Sequence, residues 1–143
     1  MVKVLEAFSG THSVGKVCKE KGWEVVSVDL TNADININIL DWDYKKDYKE
    51  GDFDIIWASP PCHTFSNCRR SWIGRKIKAF GDEIVTAEML DKDMIDHGLP
   101  LVRKAQEIIE YFKPLSTKSE SCPAPRLILP PLRALSIFSN SLY

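Results

Sequence analysis

The sequence predicts an α/β fold built on a parallel sheet, and three observations predict it. Short, nearly continuous apolar runs recur along the first half of the chain: Val2–Phe8, Val25–Val28, Ile35–Leu40 and Asp54–Ala58. Such runs read as strands covered on both faces, as in parallel sheets. Between the first two lies a helical spacing, Val14, Val17 and Cys18, that stops at Gly22, so strand, helix and strand alternate. Asp, Gly, Ser and Pro follow the run ends, where open α/β sheets place their ligands.

Taken in order, each element carries a candidate group. The first run ends in Glu6-Ala7-Phe8-Ser9-Gly10, a turn where backbone N–H groups and the positive end of the following helix can face a ligand. Gly10 lets a ligand approach the backbone closely. The second run ends in Asp29, placed for an acid that hydrogen-bonds ribose hydroxyls; the third ends in Asp41, with Asp43 beside it. Either aspartate alone reads as a cap or turn residue. Consecutive strand ends with a turn or an acid favour a nucleoside site.

The fourth run stops at Ser59-Pro60-Pro61-Cys62. Two prolines narrow the backbone, and the next side chain is held beside the ligand edge. Cys62 so placed suits a nucleophile, activated by Arg69, Arg70 or a following helix start; a buried structural thiol is the competing reading. From Asn67 to Phe80 the chain turns basic, with Arg69, Arg70, Arg75, Lys76 and Lys78 interleaved with Trp72 and Phe80. This pattern reads as a contact to a DNA backbone or as a solvated loop. After Gly98-Leu99-Pro100 comes a long amphipathic helix with the stripe Leu101, Val102, Ala105, Ile108, Ile109 and Phe112. Cys18 reads as a core thiol, His97 as a surface imidazole, Trp42 and Trp57 as packing residues. Residues 115–143, rich in Ser, Pro and Leu with Glu120 as the single acid, show no period and are expected to be irregular; residues 1–114 form the domain.

Length and composition bound the rest. A chain of 143 residues makes one domain, and a net charge of −1 confines any nucleic-acid contact to a local patch. No signal peptide or membrane-spanning run is expected. The four cysteines form no CxxC pair and have no zinc-like spacing to histidine, so free thiols in a reducing compartment are expected, and no metal. The expected location is the cytoplasm of a bacterial, phage-infected or virus-infected cell, with the nucleus also open.

These residues together resemble the DNA (cytosine-5)-methyltransferases. Glu6–Gly10 is similar to the turn with which that family cradles S-adenosylmethionine, Asp29 to its ribose-binding acid, and Asp41 to an aspartate at the adenine. Asp54 to Ser66 resembles the catalytic strand and loop, with Pro60-Pro61-Cys62 and Phe65-Ser66 matching its Pro-Pro-Cys-Gln-x-Phe-Ser pattern. The resemblance covers residues 1 to about 114 and is nearest to short phage and virus members rather than large restriction-modification enzymes. Thr11-His12-Ser13 replaces the usual second glycine pair, Glu6 an aspartate, and His63 a glutamine.

The resemblance implies a Rossmann-like S-adenosylmethionine-dependent methyltransferase fold with an incomplete parallel sheet. It implies a cofactor site of Phe8, Ser9, Gly10, Thr11, His12, Asp29, Leu30, Asp41, Ser59 and Pro60, and DNA contacts from Ser66, Arg69, Arg70, Arg75 and Lys76. Cys62 would attack C6 of a flipped cytosine and so activate C5 for the methyl group. The family's ring-protonating glutamate, from a Glu-Asn pair on the next strand, has no match: Glu120 is followed by Ser121 with no strand-like run before it. The later strands, an arginine-bearing motif and the target-recognition domain are unmatched too, which predicts a truncated or frame-shifted product of weakened activity. Two other functions compete: a non-catalytic cofactor- or nucleic-acid-binding subunit completed by a second chain, and a P-loop nucleotidase from Gly10–Lys16, which lacks the hydroxyl expected at Val17.

Overall fold

The computed structural model describes residues 1–119. Five strands form one sheet: β1 (Lys3–Ala7), β2 (Glu24–Asp29), β3 (Ile35–Asn36), β4 (Ile55–Ala58) and β5 (Ser116–Ser119). Their order is β3-β2-β1-β4-β5, and every neighbouring pair is parallel. The helices are α1 (Ser13–Glu20), α2 (Tyr44–Asp47), α3 (Ala87–Asp93) and α4 (Leu99–Phe112). This is the predicted Rossmann-like α/β architecture. No helix among the described residues is long and apolar enough to cross a membrane.

Alternation along the strands divides the two faces. Leu5, Ala7, Val28, Ile56 and Ala58 point to the α4 side, where they meet Phe53, Tyr44, Ala105, Ile108 and Phe112 in the main core. On the α1 side the same strands carry polar groups: Glu6 is 3% exposed and Ser27 2%. Glu6 Oε1 accepts a hydrogen bond from the Val14 backbone N–H at 3.2 Å, while His12, the residue before α1, supplies no side-chain cap. The buried carboxylate thus serves the positive helix end from beneath.

Gly15 makes room for that carboxylate, since a Cβ there would sit 2.5 Å from Glu6 Oε2. Alanine normally favours a helix over glycine by about 1 kcal/mol. Overpacking a buried site costs about 1–3 kcal/mol, and the obstruction here is a buried carboxylate whose other oxygen already accepts from Val14 N–H. Gly15→Ala is therefore expected to lower the urea unfolding midpoint. An unchanged or raised midpoint would show that Glu6 does not fill the space under α1.

Asp34 ties the β3 approach to β2, accepting from the Ser27 hydroxyl at 2.7 Å and the Ser27 N–H at 2.9 Å. The hydroxyl hydrogen bond is the main cause holding its carboxyl below the usual range, helped by the Ser27 N–H and by the charges of Lys19 and His12. A depressed folded-state pKa contributes stability above the unfolded value, and that stability is lost as pH falls through the folded one. Melting temperatures measured from pH 6 down to about pH 2 should therefore fall less steeply for Asp34→Asn than for the parent chain. Parallel acid limbs would remove Asp34 from the explanation.

Two elements differ from expectation. The third strand ends at Asn36 rather than Leu40, because Asn38 turns the chain: its side-chain oxygen accepts from Leu40 N–H at 3.1 Å and its carbonyl from Asp41 N–H at 2.9 Å. After Pro114, where irregular chain was expected, β5 pairs with β4 from Ile55↔Ser116 to Ala58↔Ser119. Its pairing rests on the backbone ladder, which the polar run Ser-Thr-Lys-Ser does not advertise. A strand does therefore precede Glu120, and the remainder of the expected irregular segment lies outside the described residues.

Candidate active site

A cleft of about 510 Å³ opens at the carboxyl ends of β1, β2 and β4. Of the cofactor residues predicted, Phe8, Gly10, Asp29, Leu30 and Ser59 line it. Phe8 and Gly10 have φ of 60° and 51°, so the chain reverses sharply after β1 and bares its backbone to the cleft. Asp29 closes the turn: Oδ2 accepts from Gly10 N–H and Oδ1 from Leu30 N–H, each at 2.7 Å. Each oxygen keeps a second lone pair for a ligand hydroxyl.

Five predicted cofactor residues lie elsewhere. Ser9 and Pro60 are buried, and Thr11 is exposed, its hydroxyl on that of Ser13. Asp41 is exposed beyond the Asn38 turn, and Ile37 to Leu40 line the cleft in its stead. His12 turns away. With φ of 58° its ring reaches the Asn32 carbonyl through Nε2, and Nδ1 lies 3.9 Å from Glu6 Oε2. Histidine at the position of a glycine thus leaves the cleft open, because its side chain lies in a second cavity between α1, β2 and β3.

The same helix start removes the phosphate-loop reading. α1 begins at Ser13, so Gly15 and Lys16 lie inside the helix, Gly15 over Glu6 and Lys16 in the second cavity. A phosphate cradle needs free N–H groups there, and the Lys16 N–H already donates to the His12 carbonyl at 2.9 Å.

Cys62 follows Pro61, which lines the cleft, and is exposed with φ −99° and ψ 1°. That is the bridge region, where many active-site residues sit. Its carbonyl accepts from Phe65 N–H at 3.0 Å, opening a short 3₁₀ turn, His63–Phe65. Among the described residues no hydrogen bond engages its thiol. Cys18 is the contrast: burial, then the charge of Glu6, push its thiol up, as suits an inert core residue.

Beneath this turn the helical chain from Ala87 to Phe112 is interrupted by a π turn, Met94–Gly98. Pro100 is the cause. It has no N–H for the Asp96 carbonyl and its ring would strike that carbonyl in a regular α-helix, so the turn widens. The widened turn brings Asp96 and His97 into the cleft wall and buries Gly98 under Thr64 and Phe65. Neither cleft residue was expected from the sequence, where the only signal was the i,i+4 spacing of Asp93 and His97.

The basic segment divides. Arg70, Arg75 and Lys76 are exposed, as is Cys68, and Ser66 is half-buried with its hydroxyl accepting from Cys68 N–H at 3.3 Å. Arg69 departs from the phosphate contact expected of it. It is 8% exposed, bonded to Asp93 at 2.6 Å, and stacked over Trp72 and Phe80 at 5.2 and 5.6 Å. A carboxylate and two rings hold this guanidinium inside the fold. Among the described residues no group of three His, Cys, Asp or Glu could hold a metal ion.

Comparison with known proteins adds a relative. No family model matches the chain, and no solved structure matches it. A protein of Frog virus 3 (isolate Goorha), described as a probable DNA (cytosine-5)-methyltransferase, is 47% identical over 114 residues. Those residues are 79% of this chain and 50% of that protein, so the chain spans about half the length of its relative. With the parallel sheet, the cleft at its carboxyl edge and the Pro-Pro-Cys turn already in place, the matched part of the chain is similar to one half of a probable DNA (cytosine-5)-methyltransferase.

Proposed function

We propose that the cleft binds S-adenosylmethionine and that Cys62 is the nucleophile of a methyl transfer to C5 of cytosine in DNA. The observation that carries this reading is the exposed Cys62, directly after Pro61 of the cleft lining, beside a cleft whose lining suits a nucleoside. The volume falls in the range for small-ligand sites, roughly 300–1,000 Å³. Its lining is largely apolar, with Leu30, Ile37, Ile39 and Leu40 to cover a flat ring and the open lone pairs of Asp29 to accept ribose hydroxyls. When bound, S-adenosylmethionine supplies the methyl group.

The chain's own contribution is positional and nucleophilic. Pro60 and Pro61 hold Cys62 at the β4 end, and its thiolate adds to C6 of an extruded cytosine, placing electron density on C5. After methylation a base, water at its simplest, takes the C5 proton, the C5–H pair re-forms the ring double bond, and the Cys62–C6 pair returns to sulfur as the thiolate. Arg70, Arg75 and Lys76 supply exposed positive charge for the DNA backbone.

Thermal unfolding of the full chain with S-adenosylmethionine tests the cofactor half. Ligand at one hundred times its dissociation constant adds about 2.7 kcal/mol, which for a domain of this size raises Tm by roughly 8 °C. ATP with magnesium should give no rise. No shift with S-adenosylmethionine up to millimolar concentration would reject the reading.

A further inference from the structure

Asp93 engages both the cleft wall and the loop that follows Cys62. Its Oδ2 accepts from Arg69 Nη2 at 2.6 Å, and its Oδ1 meets His97 Nδ1 at 3.0 Å. Arg69 belongs to the segment after the Cys62 turn, while His97 lines the cleft. The two partners sit in different places, and one carboxylate joins them.

We propose that Asp93 is a positioning residue that ties the order of the Cys62 loop to occupation of the cleft, with His97 as the group that contacts the cofactor. The inference rests on the reading of the cleft as the S-adenosylmethionine site. It begins with Arg69. The guanidinium is buried, its Nε and Nη1 have no hydrogen-bond partner, and Asp93 is its carboxylate. A buried cation stripped of its counter-charge is strongly disfavoured, so the loop keeps its place only while Asp93 keeps its orientation.

His97 controls that orientation from the other side. The ring turns its Nδ1 edge to Asp93 Oδ1, within ion-pair distance at 3.0 Å, and presents Nε2 on its other edge. The side chain is 73% exposed and bordered by the cleft, leaving Nε2 within reach of a polar group of the cofactor. A contact there would fix the ring, the ring fixes Oδ1, and Oδ2 stays on Arg69. A second contact runs the same way: Gly98 of the π turn lies directly under Thr64 and Phe65, on the far side of the Cys62 turn. Linkage makes the effect mutual, since DNA that orders the loop must tighten cofactor binding by the same factor.

Limited trypsin digestion of the full chain reads the loop directly. Cleavage after Arg70, Arg75 and Lys76 is compared with cleavage after Lys45 and Lys46 in α2, which removes any general stabilisation by the ligand. Saturating S-adenosylmethionine should slow the loop cuts relative to the α2 cuts by about five-fold or more. His97→Ala, with S-adenosylmethionine raised until it saturates this variant too, should lose that relative protection. Asp93→Asn should show fast loop cleavage with or without ligand. A parent chain that binds S-adenosylmethionine with no change in the cleavage ratio overturns the inference while sparing the cofactor reading, and so does His97→Ala with full protection. A parent chain that shows no binding overturns both.

Discussion

Replacing Cys62 by alanine is expected to abolish methyl transfer to cytosine-containing DNA while the thermal response to S-adenosylmethionine stays as in the parent chain. The two halves of this expectation follow from where the residue sits. Cys62 is exposed next to Pro61 of the cleft lining, and its thiol makes no hydrogen bond among the described residues, so removing one sulfur atom disturbs neither the sheet nor the cleft lining. Exposed substitutions of this kind change stability by about 0.5 kcal/mol or less. The chemistry, in contrast, has no substitute: without a bond to C6, C5 of cytosine is too electron-poor to take the methyl group. Serine at the position should fail as well, because a hydroxyl yields far less anion than a thiol at neutral pH. Cys68→Ala is the control, an exposed thiol in the same loop whose loss should leave the rate alone. DNA carrying fluorine at C5 gives an independent readout, since fluorine cannot leave as a proton and the Cys62–C6 bond would then survive denaturation. Methylation by Cys62→Ala, or a trapped adduct on another residue, would remove Cys62 from the reaction.

How far the sequence leads toward this site depends on which kind of force places each residue. β1, β2, β4 and α4 were legible because burying apolar side chains imposes a period, and Leu5, Val28, Ile56 and Ile108 are fully or nearly fully buried as that period requires. The place of Gly10 and Asp29 on the cleft was legible for a second reason, since clefts in such sheets open at strand ends. Asp41 lies outside the cleft lining, because a local turn at Asn38 ended the strand early. β5 was hidden, its pairing carried by backbone groups that every sequence shares. The roles of Arg69 and His97 were hidden more deeply. Five basic residues between Asn67 and Phe80 look alike in the sequence. Only the fold brings one of them to Asp93, and only the π turn forced by Pro100 swings His97 into the cleft.

Phe112→Ala is expected to cost about 3–5 kcal/mol of stability, the usual range for deleting a buried aromatic ring. The upper part of that range applies here. Phe112 is 0% exposed, and its ring meets three others, Tyr44 at 5.6 Å and Phe53 and Tyr111 at 5.0 Å each. Edge contacts of this kind add about 0.5–1.5 kcal/mol beyond area burial. The surroundings are also badly placed to collapse into the gap. Tyr44 is anchored by its hydroxyl to Glu107 at 2.6 Å, and burial, then that carboxylate, push the hydroxyl's pKa up, so it remains a donor at any ordinary pH. Phe53 sits just before β4, and the Phe112 carbonyl accepts from Gly51 N–H at 3.1 Å, which ties the loop before β4 to the end of α4. A domain of this size has about 5–15 kcal/mol in all, so the variant should unfold at a much lower urea concentration with an unchanged slope. Loss of less than about 1 kcal/mol would mean that the cluster repacks freely. The effect should also reach the cleft, because α4 is the element that carries the π turn at one end and Phe112 at the other. S-adenosylmethionine should therefore restore part of the lost stability, by the same free energy it adds to the parent chain wherever the folded form is saturated.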